Sequence, residues 1–182
     1  MNIRGFHRLF WVVVLLSGRL HAQVVNLSKS EISFFSSAPL EDITAKSVKS
    51  TSTLNLETGE VMVKVPIKSF QFKRRLMQEH FNENYLESDR HPNAHFLGKI
   101  LDEVNLKVPG TYQVRAKGEL EIHGVRKEYT APVNLVVGES QIVARTLFKV
   151  RVADHDIKIP RMVINNIAEE VEVNALLTYM LK

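Results

Sequence analysis

The 182-residue chain contains no cysteine. That absence excludes disulfides, thiolate metal ligands, a cysteine nucleophile and a lipid anchor on sulfur. It contains no G-x-S-x-G, no phosphate-cradling glycine loop and no H-E-x-x-H, so the usual signatures of serine hydrolases, nucleotide-binding enzymes and zinc proteases are missing. The apolar run at residues 9–16 (LFWVVVLL) stops well short of the about 20 residues needed to span hydrocarbon. An excess of one charge is also missing once the N-terminus is set aside. The formal net charge is +4, but Arg4, Arg8 and Arg19 lie in the first 22 residues, which hold no acid. The rest carries 21 basic and 20 acidic residues. A neutral domain has no electrostatic footprint for phosphate backbones, which excludes nucleic acid as a partner. With 45% hydrophobic and 24% charged residues, the composition is that of a globular chain and not of a disordered one.

The N-terminus has the layout of an export signal. Arg4 and Arg8 precede the apolar run, and the polar SGRLHA follows it, ending at Ala22 before Gln23. A basic start, a short apolar middle and a small residue before a cut describe a secretory signal peptide. Cleavage is expected after Ala22. The mature protein, residues 23–182, is then periplasmic or secreted and does not span a membrane. No linker, repeat or low-complexity tract divides it, so it reads as one domain.

The mature chain reads as strands. In residues 112–123 (YQVRAKGELEIH), Tyr112, Val114, Ala116, Gly118, Leu120 and Ile122 alternate with Gln113, Arg115, Lys117, Glu119, Glu121 and His123. Unbroken period-2 alternation marks a strand with one face on a core and the other in water. Gly118, on the inner row, suggests a bend or a bulge. Val61, Val63, Val65 and Ile67 form a second row, with Thr58-Gly59 as the turn from a preceding strand through Leu54 and Leu56. Tyr129, Ala131, Val133, Leu135 and Val137 form a third, with Pro132 facing outward. Ile142, Ala144, Thr146, Phe148, Val150 and Val152 form a fourth, after a Gly138-Glu139-Ser140 turn. Val171, Val173, Ala175, Leu177 and Tyr179 form a fifth, and residues 24–35 and 96–101 complete the set. Long hairpin-spaced amphipathic strands fit a sandwich or a closed barrel, and their length favours closure, which removes exposed edges. Two interruptions read as short helices. One is residues 40–47, after Pro39; the other is residues 76–86, where Met77, Phe81 and Tyr85 form an apolar stripe.

Sites of chemistry are sparse. Five histidines follow the signal: His80, His91, His95, His123 and His155. His80, His91 and His95 lie close in sequence, but Pro92 breaks any helix that would align His91 with His95, and no acid stands at a ligand spacing. No metal site is expected. In Asp154-His155-Asp156 the neighbouring carboxylates of a strand would point away from the ring, so the triplet reads as a polar turn. The basic run Lys73, Arg74 and Arg75 stands before the second helix, where positive charge opposes the helix dipole. It is either a solvated loop or an anion contact at the barrel rim, suited to a lipid head group.

Three segments resemble the YceI-like family of exported lipid-binding proteins. Residues 118–135 (GELEIHGVRKEYTAPVNL) resemble the family's G-x-L-x-I-H-G-V hairpin, read here as a strand, a polar turn and an apolar strand. Residues 91–96 (HPNAHF) resemble its Y-P-x-A-x-F element, with His91 in place of the aromatic. Residues 150–157 (VRVADHDI) resemble its R-x-D-F-G-I stretch; Arg151, Asp154 and Ile157 match, while His155 and Asp156 stand where Phe and Gly are typical. The likeness covers residues 23–182 in order. It implies an all-β, eight-stranded antiparallel lipocalin-like barrel with one or two short helices. It also implies a non-catalytic role holding a long apolar lipid in the lumen, an isoprenoid or a quinone, without other cofactors.

The inner rows of such a barrel make Phe96, Ile100, Tyr112, Val114, Ala116, Leu120, Val133, Leu135, Ala144, Phe148, Val150, Val173 and Leu177 the expected lumen residues. The small residues among them leave room for a slim ligand. Two functions fit: a carrier or sequestering protein for an apolar lipid, and an accessory barrel acting through its surface or a histidine metal site in a redox or stress-response system. A homodimer is left open by the sequence.

Overall fold

The computed structural model describes residues 23–159 and 168–181; the expected export signal, residues 1–22, lies outside them. Among the described residues no helix is long and apolar enough to cross a membrane. The strands are β1 (Val24–Ser37), β2 (Asp42–Ser47), β3 (Thr51–Asn55), β4 (Glu60–Pro66), β5 (Gln71–Phe72), β6 (Asn93–Ile100), β7 (Gly110–Ile122), β8 (Val125–Val137), β9 (Gln141–Arg151) and β10 (Glu170–Met180). Eight of them close a ring in the order β1, β10, β9, β8, β7, β6, β4, β3 and back to β1, each antiparallel to its neighbours. This is the expected eight-stranded barrel.

The long strand β1 serves both the ring and an extension of it. Its first residues, Val24 to Asn26, pair with β3, and its later ones pair with β10 on one edge. On the other edge Ile32 to Ser37 pair with β2, which in turn carries β5. Residues 40–47 are therefore not a helix, as the sequence suggested, but lead into strand β2. Ala45 and Ser47 are buried while Asp42, Thr44 and Lys46 are exposed. Six alternating residues beside a free β1 edge gain a ladder that an isolated short helix would not supply.

The alternation in residues 112–122 appears directly in the burial. Val114, Ala116 and Leu120 are buried, and Gln113, Arg115, Lys117 and Glu119 are exposed. The bend at Gly118 has a partner, because Gly98 of β6 pairs directly with it. A Cβ on Gly118 would lie 2.3 Å from the Leu97 carbonyl oxygen and 2.4 Å from Gly98 Cα. Two glycines face to face let the strands approach at a curve no side chain permits, and the Phe96 ring folds over the gap beside Gly98.

The strand ends one residue earlier than the alternation suggested. His123 and Gly124, at φ 53° and 75°, form a two-residue turn from β7 to β8. His123 accepts the left-handed conformation where Asn is usual, with its Nδ1 tied to the His155 carbonyl at 3.2 Å. After β9 a 3₁₀ turn, Val152–His155, ends at Asp156, which is also left-handed (φ 54°). Glycine adopts that conformation freely, so Asp156→Gly is expected to stabilise the fold by about 0.5–1 kcal/mol, read as a higher urea midpoint.

Helix α1 (Arg75–His80) continues through one wide π turn, Phe81–Tyr85, matching the second expected helix. Its N-terminus has neither a capping side chain nor an acid in the first turn. A helix this short holds its shape only through tertiary packing.

Candidate functional site: an apolar cup with one mouth

The barrel is filled at one end and hollow at the other. Leu106 and Ile142, at 1% and 0% exposure, anchor a plug completed by Val25, Leu56, Val114 and Val137. Above the plug lies a cavity of about 420 Å³, lined from all eight ring strands and within the size range of small-ligand sites. Its upper wall comes from outside the ring: Ile43 of β2, Phe72 of β5, Met77, His80, Phe81 and Tyr85 of the α1 segment, and Ile157 and Ile159. The stripe Met77, Phe81 and Tyr85 thus turns inward, toward the cavity. Phe81 joins Phe34, Phe70 and Phe72 in an aromatic cluster with ring centroids 5.0 to 5.9 Å apart. That contact fastens the weak helix over the mouth.

Of the expected lumen residues, Phe96, Ile100, Ala116, Leu120, Val133, Leu135, Ala144, Phe148, Val150, Val173 and Leu177 line the cavity. Tyr112 and Val114 do not. Val114 belongs to the plug, and the Tyr112 hydroxyl donates to the Val108 carbonyl at 2.9 Å. Alternation identifies the face of a strand but not the depth along the barrel axis, so it could not separate plug from cavity. Val61, Val63 and Val65 were visible as an inner row but not assigned to the site, and they line it too. Phe34, Phe70, Phe72 and Phe81 are spread along the chain, and only the packing of β2, β5 and α1 against the ring gathers them.

Four of the six hydroxyls on the wall are paired within the protein. The Tyr179 hydroxyl shares a 2.7 Å hydrogen bond with Ser52 Oγ, and burial pushes its pKa up to about 12. The Thr146 hydroxyl donates to the Pro132 carbonyl, and the Ser36 hydroxyl accepts the Ala168 N–H. The Tyr129 hydroxyl meets Nε2 of His155 at 3.1 Å. Groups already paired in this way present little unmet polarity to an occupant, so the cavity favours hydrocarbon.

His155 is not part of a simple polar turn. It is fully buried and stacks on Tyr129, with ring centroids 5.8 Å apart and an interplanar angle of 8°. Its Nδ1 lies 3.0 Å from the Val125 carbonyl, which requires Nδ1–H as donor and leaves Nε2 to accept from Tyr129. Burial lowers its pKa below the ordinary 6.5. The unfolded state therefore takes up a proton first. Stability is full above that ordinary value and falls as pH drops through it toward the folded pKa. The loss approaches about 1.4 kcal/mol for each unit by which the pKa is lowered. Urea unfolding at pH 7.5 and 5.0 is expected to show this loss, and His155→Phe is expected to reduce it.

The basic run does not enter the cavity. Arg74 pairs with Glu41, which lines the mouth, at 2.5 Å, and Arg75 pairs with Glu79 along its own helix. Lys73 is exposed and is not a wall residue. Of the three, only Arg74 reaches the rim, and its charge is already matched. The histidines also divide differently than expected: His80 and His95 line the cavity, whereas His91 turns toward His123 and Glu87. The expectation that no acid stands at a ligand spacing is thereby corrected. Glu87 precedes His91 by four residues, and the missing third partner came from a distant turn.

A closed antiparallel eight-stranded barrel with, among the described residues, an apolar cup at one end defines a lipocalin-like architecture. Residues 24–179 match the YceI-like domain, and the chain belongs to that family. No curated protein matches it. Among solved structures, a polyisoprenoid binding domain from Saccharophagus degradans implicated in plant cell wall breakdown has a TM-score of 0.76 at 16% identity, covering 88% of this chain and 100% of that one. BcnA of Burkholderia cenocepacia has a TM-score of 0.70 at 16% identity, covering 82% and 95%. The YCEI protein of Campylobacter jejuni has a TM-score of 0.58 at 10% identity, covering 100% and 94%. At these identities the likeness establishes the fold.

Proposed function

We propose that this protein is a non-catalytic binding protein that holds a long apolar lipid, of isoprenoid type, in the cup, and that it acts after export. The observation that carries the reading is the cavity wall: side chains from every ring strand, with most of its hydroxyls paired internally. Such a site offers burial and little else. Each five-carbon isoprene unit gains at most about 4 kcal/mol gross at about 0.8 kcal/mol per carbon. A few units outweigh the cost of ordering a flexible chain without any directional bond. The likeness to a polyisoprenoid binding domain supports the same ligand class. Export is supported by the basic start, apolar run and small residue at positions 4–22.

Mass spectrometry of organic extracts from protein purified without detergent tests the ligand. One long-chain lipid near one equivalent is expected, and a lipid-free protein that fails to take up an added polyprenol would refute the proposal. N-terminal sequencing of the exported product is expected to begin at Gln23 or within a few residues.

A further inference from the structure

At the end of the barrel that carries the β7–β8 turn, outside the cavity wall, Glu87, His91 and His123 each offer one ligand atom, all within 4.8 Å of one another. We propose that these three residues form a binding site for a divalent transition-metal ion of the zinc type. Glu87 Oε2 and His123 Nε2 are 3.4 Å apart. That separation is long for a hydrogen bond. It is about the edge of a tetrahedron with bonds of about 2.1 Å, the spacing of two ligands sharing one zinc ion.

The surroundings prepare the donors. His123 Nδ1 lies 3.2 Å from the His155 carbonyl, so Nδ1–H donates there and Nε2 keeps its lone pair toward Glu87. A backbone carbonyl on the far nitrogen is the usual way a metal-ligating imidazole is oriented. The His91 ring stands edge-on to His123, with centroids 4.7 Å apart. It occupies space that Gly124 leaves open, since a Cβ there would come within 2.8 Å of His91 Cε1. Glu87 and His123 are two of the three non-glycine residues at positive φ among those described, at 41° and 53°. The loop that carries Glu87 is fixed by the N–H groups of Arg90 and His91, which both donate to the Glu87 carbonyl.

Two imidazoles and a carboxylate, with no sulfur, suit zinc, nickel or copper more than calcium or magnesium. Three protein ligands leave a fourth position for water or an anionic group. One neighbour competes: the Arg90 guanidinium sits 2.6 Å from Glu87 Oε2, on a side chain exposed enough to swing away. An ion here would link the loop after the π turn to the β7–β8 turn. It would stabilise the folded state whether or not the cup is filled.

The test uses full-length mature protein without an affinity tag, stripped with chelator and titrated with zinc chloride by calorimetry and thermal unfolding. One equivalent of zinc and a raised unfolding midpoint are expected. His91→Ala and His123→Asn should each weaken binding by about tenfold or more. Asn tolerates the left-handed backbone at position 123, and His91→Ala, in a loop, decides the matter if His123→Asn unfolds. Arg90→Gln should bind more tightly, and Asp89→Asn, two residues from Glu87 and paired elsewhere with Lys68, should bind like the wild type. Absence of stoichiometric uptake by the wild type, or His91→Ala binding zinc as tightly as the wild type, would overturn the proposal. Neither result bears on the lipid in the cup.

Discussion

Ala144→Phe is expected to abolish uptake of a lipophilic probe while the barrel stays folded. Ala144 lies on the cavity wall between its strand neighbours Leu135 and Leu177, which line the cavity with it. A benzyl group there enters empty space in the lower part of the cup. Overpacking a filled core costs about 1–3 kcal/mol, whereas filling a void costs little and displaces whatever occupied it. Ala116→Phe makes the same test on another wall, beside Ile100 and Ala131. Lys117→Phe is the control, since Lys117 faces solvent on the neighbouring register position. Fluorescence of a bound polyene probe, read beside urea midpoints, separates the outcomes. Two variants that lose most of their stability while the wild type takes up no probe would mean a packed barrel, and function would then belong to the surface.

The largest stability effect is expected at the glycine pair. Gly118→Ala places a methyl group against the Leu97 carbonyl and Gly98 Cα, at distances real Cβ atoms do not adopt. Both obstacles are backbone, so no rotamer change relieves them. A loss of at least about 3 kcal/mol is expected, seen as a lower urea midpoint. For a domain whose whole stability is about 5–15 kcal/mol, that is a large share. Gly138→Ala is the contrast: its new Cβ meets only the Gln141 carbonyl oxygen at 3.3 Å, and a change below about 1 kcal/mol is expected. A Gly118→Ala barrel as stable as the wild type would show that β6 and β7 can separate there without penalty.

The strands legible in the sequence were those whose two faces differ over many residues. β7 through β10 could be read from alternation because their inner rows are mostly apolar over many residues and their outer rows mostly charged or polar, with exceptions such as Val136, Leu147 and Met180. β2 was misread because six residues beside a proline carry too little pattern, and its partner edge on β1 is a fact of topology. The wall residues followed from the inner rows, but the plug did not. What separates Val114 from Ala116 is position along the axis, set by Leu106 and Ile142 from other parts of the chain. His155 was hidden for a related reason. Flanked by aspartates, it looks solvated, and only the turn that buries it beside Tyr129 gives it an aromatic's role. The cluster of Glu87, His91 and His123 combines a local spacing of four with a residue from another hairpin. Only the first of these can be counted along a chain.

The plug at one end of the barrel also sets the order of traffic. A cup open at one end, as the described residues have it, would be last-in, first-out: the part of a chain that enters first would be the part that leaves last. On the proposed reading, a molecule longer than the cup would leave its remaining end outside, so recognition would fall on the buried tail. If the proposed lipid is carried from a donor to an acceptor, loading and unloading would share the rim under Phe81.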